Sequence, residues 1–296
     1  MNDRGRFAPT PSGPLHFGSI VAAVGSWLEA RTRSGAWHLR IDDLDPPRVV
    51  PGADEAIRRC LSAFELHWDG PVLRQGTRGS VYAAAFERLQ RSGLVYPCGC
   101  SRKEIAERAA MGVDGPIYPG TCRNGMPPGA SVRAWRMRTD GATVEFDDRV
   151  LGVQRRDLEH EAGDFVLLRA DGVWSFHLAS AVDDAQMQIT DIVRGADLLD
   201  SSARQVHVLR ALGHPIPTFA HLPIALDAHG EKLSKQTHAP AVDVARAGET
   251  LHLALRFLGQ DVPDTLRDAG ALEVLTWAQV HWDLRRVGKT SGKPPL

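Results

Sequence analysis

The sequence predicts an α/β fold: a parallel sheet with crossover helices, one irregular insertion and a short helical C-terminal region. Three observations carry this. Strand-period and helix-period apolar patterns alternate as far as Tyr96. The alternation breaks over residues 97 to about 130, where Gly, Pro and a Cys98-Gly99-Cys100 pair concentrate. It then resumes and leads to a loop carrying Lys232 and Lys235.

Taken in order, Arg6-Phe7-Ala8 ends a short strand, stopped by Pro9, Pro11, Gly13 and Pro14. A helix is expected from Gly18, with Ile20, Ala23, Val24, Trp27 and Leu28 on one face. Trp37, Leu39 and Ile41 alternate with polar residues, which is strand period. Helices follow over residues 53–65 and 78–90, the second stopping before Gly93. Beyond the irregular stretch, strand alternation returns at 132–138 and 143–146. Residues 165–168, 173–178 and 189–193 read as strands of a second α/β stretch, with a helix over 202–212. Leu222, Ile224 and Leu226 read as a strand ending in the turn Asp227-Ala228-His229-Gly230. From about 242 the pattern is helical, and the Gly/Pro/Lys tail is expected to fray. The expected organisation is therefore 1–96, first half of the sheet; 97–165, insertion; 166–240, second half with the lysine loop; and 241–296, helical segment.

Composition excludes several classes. Hydrophobic residues at 43% and charged residues at 24% suit a soluble globular chain. The polar start, Met1-Asn2-Asp3-Arg4, and the absence of long apolar runs give a cytoplasmic expectation. Four cysteines in a chain this size do not suggest a disulfide framework. A net charge of -1 gives no overall electrostatic preference for nucleic acid, although arginines could form a local basic face.

Two motifs carry the chemistry. Pro14-Leu15-His16-Phe17-Gly18-Ser19 places a His and small residues where a strand turns into a helix. A helix N-terminus with free N–H groups favours phosphate, and His16 could donate to a phosphate oxygen. Glu231-Lys232-Leu233-Ser234-Lys235-Gln236 supplies two lysines in a loop. Alone, the first motif could be only a turn with a surface His, and the second only solvated lysines. Together they suit attack of a carboxylate on a phosphoanhydride, where positioning and cationic donors from two sides stabilise the developing charge.

In this order the motifs resemble the two signatures of class I aminoacyl-tRNA synthetases. Arg6-Phe7-Ala8-Pro9-Thr10-Pro11-Ser12-Gly13, Arg40-Ile41-Asp42-Asp43-Leu44-Asp45, Val182-Asp183-Asp184 and Ile189-Thr190-Asp191-Ile192-Val193-Arg194-Gly195-Ala196-Asp197 are similar to the glutamyl group. Only residues 237–296 follow Gln236, too few for an anticodon-binding region, so the chain resembles the truncated branch that modifies queuosine. The resemblance covers nearly everything to about residue 240. It implies a Rossmann-like nucleotide-binding domain, ATP with Mg²⁺ as substrate, and activation of glutamate without tRNA. The glutamyl group would then pass to the queuosine base in the anticodon loop of tRNA(Asp). A monomer that binds no membrane is the default expectation.

By resemblance, His16 and Lys235 are catalytic. Gly18, Ser19, Lys232 and Ser234 join them in binding ATP. Arg6, Phe7, Ala8, Pro9, Thr10, Asp42, Phe176 and Arg194 form the glutamate pocket. Arg forks are natural readers of carboxylates; Arg194 is assigned the side chain and Asp42 the ammonium. The alternative for Arg6 and Arg194 is a structural ion pair with Asp43, Asp191 or Asp197. Two positions depart from the family: Asp42 stands where Glu is common, and Phe176 where Tyr is common. The lost hydroxyl predicts weaker glutamate binding, by ~1 kcal/mol.

Cys98, Cys100 and Cys122 supply three thiolates, most of a structural zinc site, although Cys-x-Cys is by itself a weak signal. The family pattern implies Tyr118 as fourth ligand and one zinc ion; reduced thiols without metal are the alternative. Cys60 reads as core. Three competitors remain at this level: a short enzyme charging a tRNA acceptor end, a silent tRNA- or nucleotide-binding paralogue, and a zinc-stabilised nucleotidyltransferase acting on another carboxylic acid.

Overall fold

The structure, a computed structural model, describes residues 3–112, 115–227, 230–232 and 240–295. Its first half follows the apolar patterns closely. Strand β1 (Arg4–Phe7) leads to helix α1 (Phe17–Arg31), then β2 (Ala36–Ile41), α2 (Ala53–Ala63), β3 (Leu73–Arg74) and α3 (Gly79–Arg91). β1 pairs in parallel with β2, Arg4 opposite Ala36 through Phe7 opposite Leu39, and β2 pairs in parallel with β3. Trp37, Leu39 and Ile41 are buried in the same core as Ile20, Val24 and Leu28 of α1. Covering by helices is what a parallel sheet requires.

β4 (Val95–Cys98), α4 (Arg102–Arg108), β5 (Met111–Gly112) and β6 (Gly115–Pro116) come next. β7 (Ala134–Met137), β8 (Thr143–Asp148), β9 (Gly152–Asp157), α5 (Leu158–Glu161) and β10 (Phe165–Arg169) follow. β7 lies between β10 and β4, antiparallel to both. The chain continues through α6 (Phe176–Gln186), β11 (Asp191–Gly195), α7 (Leu199–Ala211), β12 (Thr218–Leu222) and β13 (Ile224–Ala225). It ends with α8 (Ala247–Phe257), α9 (Ala271–His281) and β14 (Gly292–Lys293). β11, β12, β8 and β9 form one sheet in that order; the β11–β12 and β12–β8 pairings are parallel, and β8–β9 is a hairpin.

The two parallel series meet at β1 and β11. Thr190 donates its N–H to the Arg4 carbonyl at 3.0 Å, and the Arg4 N–H donates to Thr190 Oγ1 at 2.9 Å. From this line the strands diverge in opposite directions, and a ligand is expected in the crevice beyond their C-terminal ends.

Three local expectations are corrected. The run 173–178 is not a strand: Trp174 bridges Leu168, and α6 begins at Phe176 because Ser175 Oγ caps the Leu178 N–H. The run through Leu226 is broken at Pro223, leaving β12 and β13 as separate strands. The tail is not frayed, since Gly292 and Lys293 pair in parallel with Ile224 and Ala225. Among the described residues no helix is long and apolar enough to cross a membrane.

Candidate active site

A cavity of about 770 Å³ opens at the strand ends of β1, β2, β11 and β12. Its wall brings together Arg6, Phe7, Ala8, Pro9, Thr10, His16, Gly18, Ser19, Asp42, Phe176, Arg194 and Lys232. Residues separated by more than half the chain thus share one site. Ser234 and Lys235 lie outside the described residues.

One end of the cavity is the start of α1. His16 is its N-cap, with extended backbone, and Ser19 Oγ stands 3.5 Å from the His16 N–H. No acidic side chain occupies the first turn, so the helix dipole there faces the cavity uncompensated. Ala241 forms an antiparallel bridge with His16, and the Val242 N–H donates to the Leu15 carbonyl at 3.0 Å. On the other side, Leu226 bridges Lys232, whose Nζ meets Asp197 Oδ2 at 2.5 Å. Both described ends of the lysine loop are therefore anchored at the cavity. Gly195 permits this approach, because a Cβ there would lie 2.4 Å from Asp197 Oδ1.

The floor is a network of buried charges. Arg6 grips Asp184 with Nε and Nη2, at 3.0 and 3.3 Å. Arg40 reaches Asp42 with Nε at 2.6 Å and Nη2 at 3.2 Å, Asp184 with Nη1 at 2.7 Å, and Ser180 Oγ at 3.2 Å. Burial works against the Asp184 carboxylate, but Arg6 and Arg40 together hold it below the usual range. Burial pushes the Asp42 carboxyl up, further than Arg40 pulls it down. An ammonium arriving at Asp42 would favour its ionised form.

Arg194 differs from its neighbours. It is 6% exposed and has no carboxylate within hydrogen-bonding reach among the described residues. Nη2 donates to Ser202 Oγ and Gln205 Oε1, both at 2.8 Å, and Nε donates to His221 Nε2 at 3.3 Å. Burial, and then the charge of Arg6, lower its pKa to about 9, so the guanidinium is still charged at neutral pH and is unfavourably placed. A carboxylate entering the cavity would relieve that. Arg6 and Arg40 thus share the carboxylates of Asp42 and Asp184, whereas Arg194 contacts no carboxylate among the described residues, which suits an entering anionic group.

The proposed structural partners of the arginines need correction. Arg6 does make an ion pair, but with Asp184. Asp43 instead accepts the Gly76 N–H at 2.6 Å, and Asp191 faces Arg33 and Arg149 at 3.1 and 3.2 Å. Sequence reasoning missed Arg40 as the partner of Asp42, although it heads the Arg40-Ile41-Asp42 motif. It also missed His221 and Asp148, joined at 2.5 Å behind Arg194. Their separation in sequence offers no local signal.

A second cluster sits below β4. Cys98, Cys100 and Cys122 place their sulfurs within 4.8 Å of one another. The Tyr118 hydroxyl is 3.2 Å from Cys98 Sγ and 3.6 Å from Cys100 Sγ, and it accepts the Cys122 N–H at 2.9 Å. Cys100 and Cys122 sulfurs are 3.6 Å apart, close to the roughly 3.8 Å that two thiolates span on a tetrahedral zinc. Three sulfurs and one oxygen fit a structural metal site. The Arg136 guanidinium lies over the Tyr118 ring at 3.9 Å. Cys60, on α2, packs in the main core as expected.

Residues 4–255 match the family model described as tRNA synthetases class I (E and Q), catalytic domain. The chain is 54% identical over 290 residues to a glutamyl-Q tRNA(Asp) synthetase of Dechloromonas aromatica, covering 97% of this chain and 96% of that one. It is likewise 54% identical over 285 residues to the protein of that name from Chromobacterium violaceum, covering 96% and 95%. Among solved structures, a glutamate tRNA ligase of Elizabethkingia meningosepticum, in complex with its amino acid, superposes with a TM-score of 0.79 at 25% identity. That match covers 98% of this chain and 66% of the ligase, so the chain spans just under two thirds of the ligase's length.

Proposed function

Because this chain belongs to the family of class I tRNA synthetase catalytic domains for Glu and Gln, we propose that its cavity converts glutamate and ATP to glutamyl-adenylate without tRNA. It then transfers the glutamyl group to the queuosine base in the anticodon loop of tRNA(Asp). The observation that carries the amino-acid assignment is Arg194, a buried cation at the cavity wall that bonds no carboxylate among the described residues. Arg194 receives the side-chain carboxylate, Asp42 the ammonium and Arg6 the α-carboxylate region. The pocket is completed by the backbone from Phe7 to Thr10 and by Phe176. The queuosine acceptor is supported by the names of the relatives at 54% identity.

In the activation step an oxygen of the glutamate α-carboxylate attacks the α-phosphorus of ATP. The bond to the bridging oxygen breaks, and pyrophosphate leaves with its electron pair. His16 and the first-turn amides of α1, with Gly18 and Ser19 allowing close approach, face the phosphates from one side. Lys232, Ser234 and Lys235 are assigned to the other, and Mg²⁺ arrives with the nucleotide. Donors preorganised on both sides of the developing charge provide the main stabilisation.

Acceptor choice tests the transfer step. With purified tRNA(Asp) in queuosine-containing and queuosine-free forms, glutamyl transfer is expected only to the first. Equal transfer to the acceptor end of a glutamate tRNA would assign the chain to acceptor-end charging instead.

Phe176→Tyr restores the hydroxyl common at this position. It is expected to lower the KM for glutamate about fivefold, the equivalent of one hydrogen bond, with the KM for ATP unchanged. An unchanged glutamate KM would remove Phe176 from the pocket.

One structural zinc ion is assigned to Cys98, Cys100, Tyr118 and Cys122, where it would fix the chain between β4 and β7. It takes no part in the chemistry. Cys100→Ser is expected to lower bound zinc and thermal stability together, because metal binding free energy is folding free energy. Metal analysis of the purified wild-type protein showing no zinc, with no loss of stability in the variant, would contradict the assignment.

A further inference from the structure

We propose that His221 and Asp148 form a buried positioning pair that holds the Arg194 guanidinium in register for the substrate's side-chain carboxylate. The proposal deepens, and rests on, the reading of Arg194 given above.

His221, on β12, is fully buried, and Asp148, at the end of β8, is 3% exposed. Asp148 is anchored by four donors: the N–H groups of Val150 at 3.0 Å, Leu151 at 2.8 Å and His221 at 3.1 Å, and His221 Nδ1 at 2.5 Å. Burial disfavours its ionised form, but these donors, His221 first, hold the carboxyl below its usual range. An ionised carboxylate at Nδ1 requires a proton there. With burial keeping the imidazole neutral, Nε2 carries a lone pair. That lone pair accepts from Arg194 Nε at 3.3 Å, and Ser202 Oγ lies beside it at 3.0 Å. The Phe219 ring, two residues earlier on β12, lies within 6° of parallel to the imidazole with centroids 6.0 Å apart.

The consequence lies in which edge of Arg194 is left. Nε is held by His221, and Nη2 by Ser202 and Gln205, so Nη1 is the nitrogen without a partner among the described residues. A carboxylate touching Arg194 directly would form a bidentate pair and occupy the edge that a ligand needs. With the imidazole between them, Asp148 sets the tautomer of His221 without touching Arg194 and leaves the cavity edge open. The fold supports this arrangement directly: β12 lies between β11, which carries Arg194, and β8, which carries Asp148.

The test separates positioning from packing. His221→Asn retains a donor near Nδ1 for Asp148 and removes the acceptor for Arg194. His221→Gln retains an acceptor near Nε2. Glutamate-dependent ATP–pyrophosphate exchange gives the KM for each substrate and kcat. His221→Asn is expected to raise the KM for glutamate about tenfold, as for loss of a bond to a charged group, with the KM for ATP within about twofold. His221→Gln should recover most of that loss. Adding His221→Asn to Arg194→Ala should raise the glutamate KM no further, because the pair acts only through Arg194.

If His221→Asn does not fold, Asp148→Asn is read in the same assay, with an expected rise of about fivefold in the glutamate KM alone. A lower Tm with both KM values unchanged, or equal increases for ATP and glutamate, would make the pair merely structural. Arg194→Ala without effect on the glutamate KM would overturn the reading of Arg194 and the pair with it. An effective Arg194→Ala beside a silent His221→Asn would overturn the pair alone.

Discussion

Arg194→Ala is expected to lower kcat/KM for glutamate about a thousandfold, while ATP binding and the folded state persist. The magnitude follows from losing a desolvated charge–charge contact, which costs roughly 2–5 kcal/mol when one partner is truncated. Arg6 and Arg40 are not expected to substitute, because Arg6 is assigned to the α-carboxylate and Arg40 is held by Asp42 and Asp184 at 2.6 and 2.7 Å. The truncation leaves Asp148 bonded to His221 and three backbone N–H groups, while Gln205 Oε1 loses its Arg194 donor, so a lower Tm is expected beside the loss of activity. The loss should appear mainly in the KM for glutamate. A variant with normal glutamate KM would place the amino acid elsewhere.

The second large effect is expected in the chemical step. Lys235→Ala and His16→Ala should each lower kcat for adenylate formation by about a hundred- to a thousandfold, the usual cost of removing one preorganised donor to developing charge. The His16 carbonyl accepts the Ser19 and Ile20 N–H groups, which alanine preserves, while the His16 side chain also enters a capping box with Ser19; the helix start is expected to survive with some loss of stability. For Lys235 the support is the motif, together with the anchoring of its loop at Lys232 and at Ala241 beside the cavity. Glutamate binding, followed by calorimetry, should be nearly unchanged in both. If either variant kept wild-type exchange, that side of the phosphate clamp would have to be reassigned.

Much of this arrangement was legible along the chain because its determinants are local. Trp37, Leu39 and Ile41 alternate as a strand and are buried as one. The proline-rich turn before His16 and the apolar face of α1 predict a helix from Gly18, and α1 begins one residue earlier, at Phe17. Residues of the glutamate and phosphate motifs fall around one cavity for the same reason, since each motif follows a strand end. Other features depend on contacts distant in sequence. Arg6 is paired across 178 positions with Asp184, and His221 across 73 with Asp148. No periodicity encodes either contact. The tail was misread because Gly292 and Lys293 have little strand propensity of their own; pairing with Ile224 and Ala225 supplies their order. At Val173 and Trp174 an apolar run has the look of a strand, but Ser175 caps a helix that starts at Phe176.

The central claim is that this cavity activates glutamate by itself. Its most direct test is ATP–pyrophosphate exchange in the complete absence of tRNA, with glutamate, aspartate and glutamine compared. The charge pattern at Arg6, Asp42 and Arg194 predicts exchange with glutamate and little with the other two. Aspartate is one methylene shorter than glutamate, and glutamine lacks the side-chain charge. No exchange with glutamate, or exchange that requires tRNA, would contradict it.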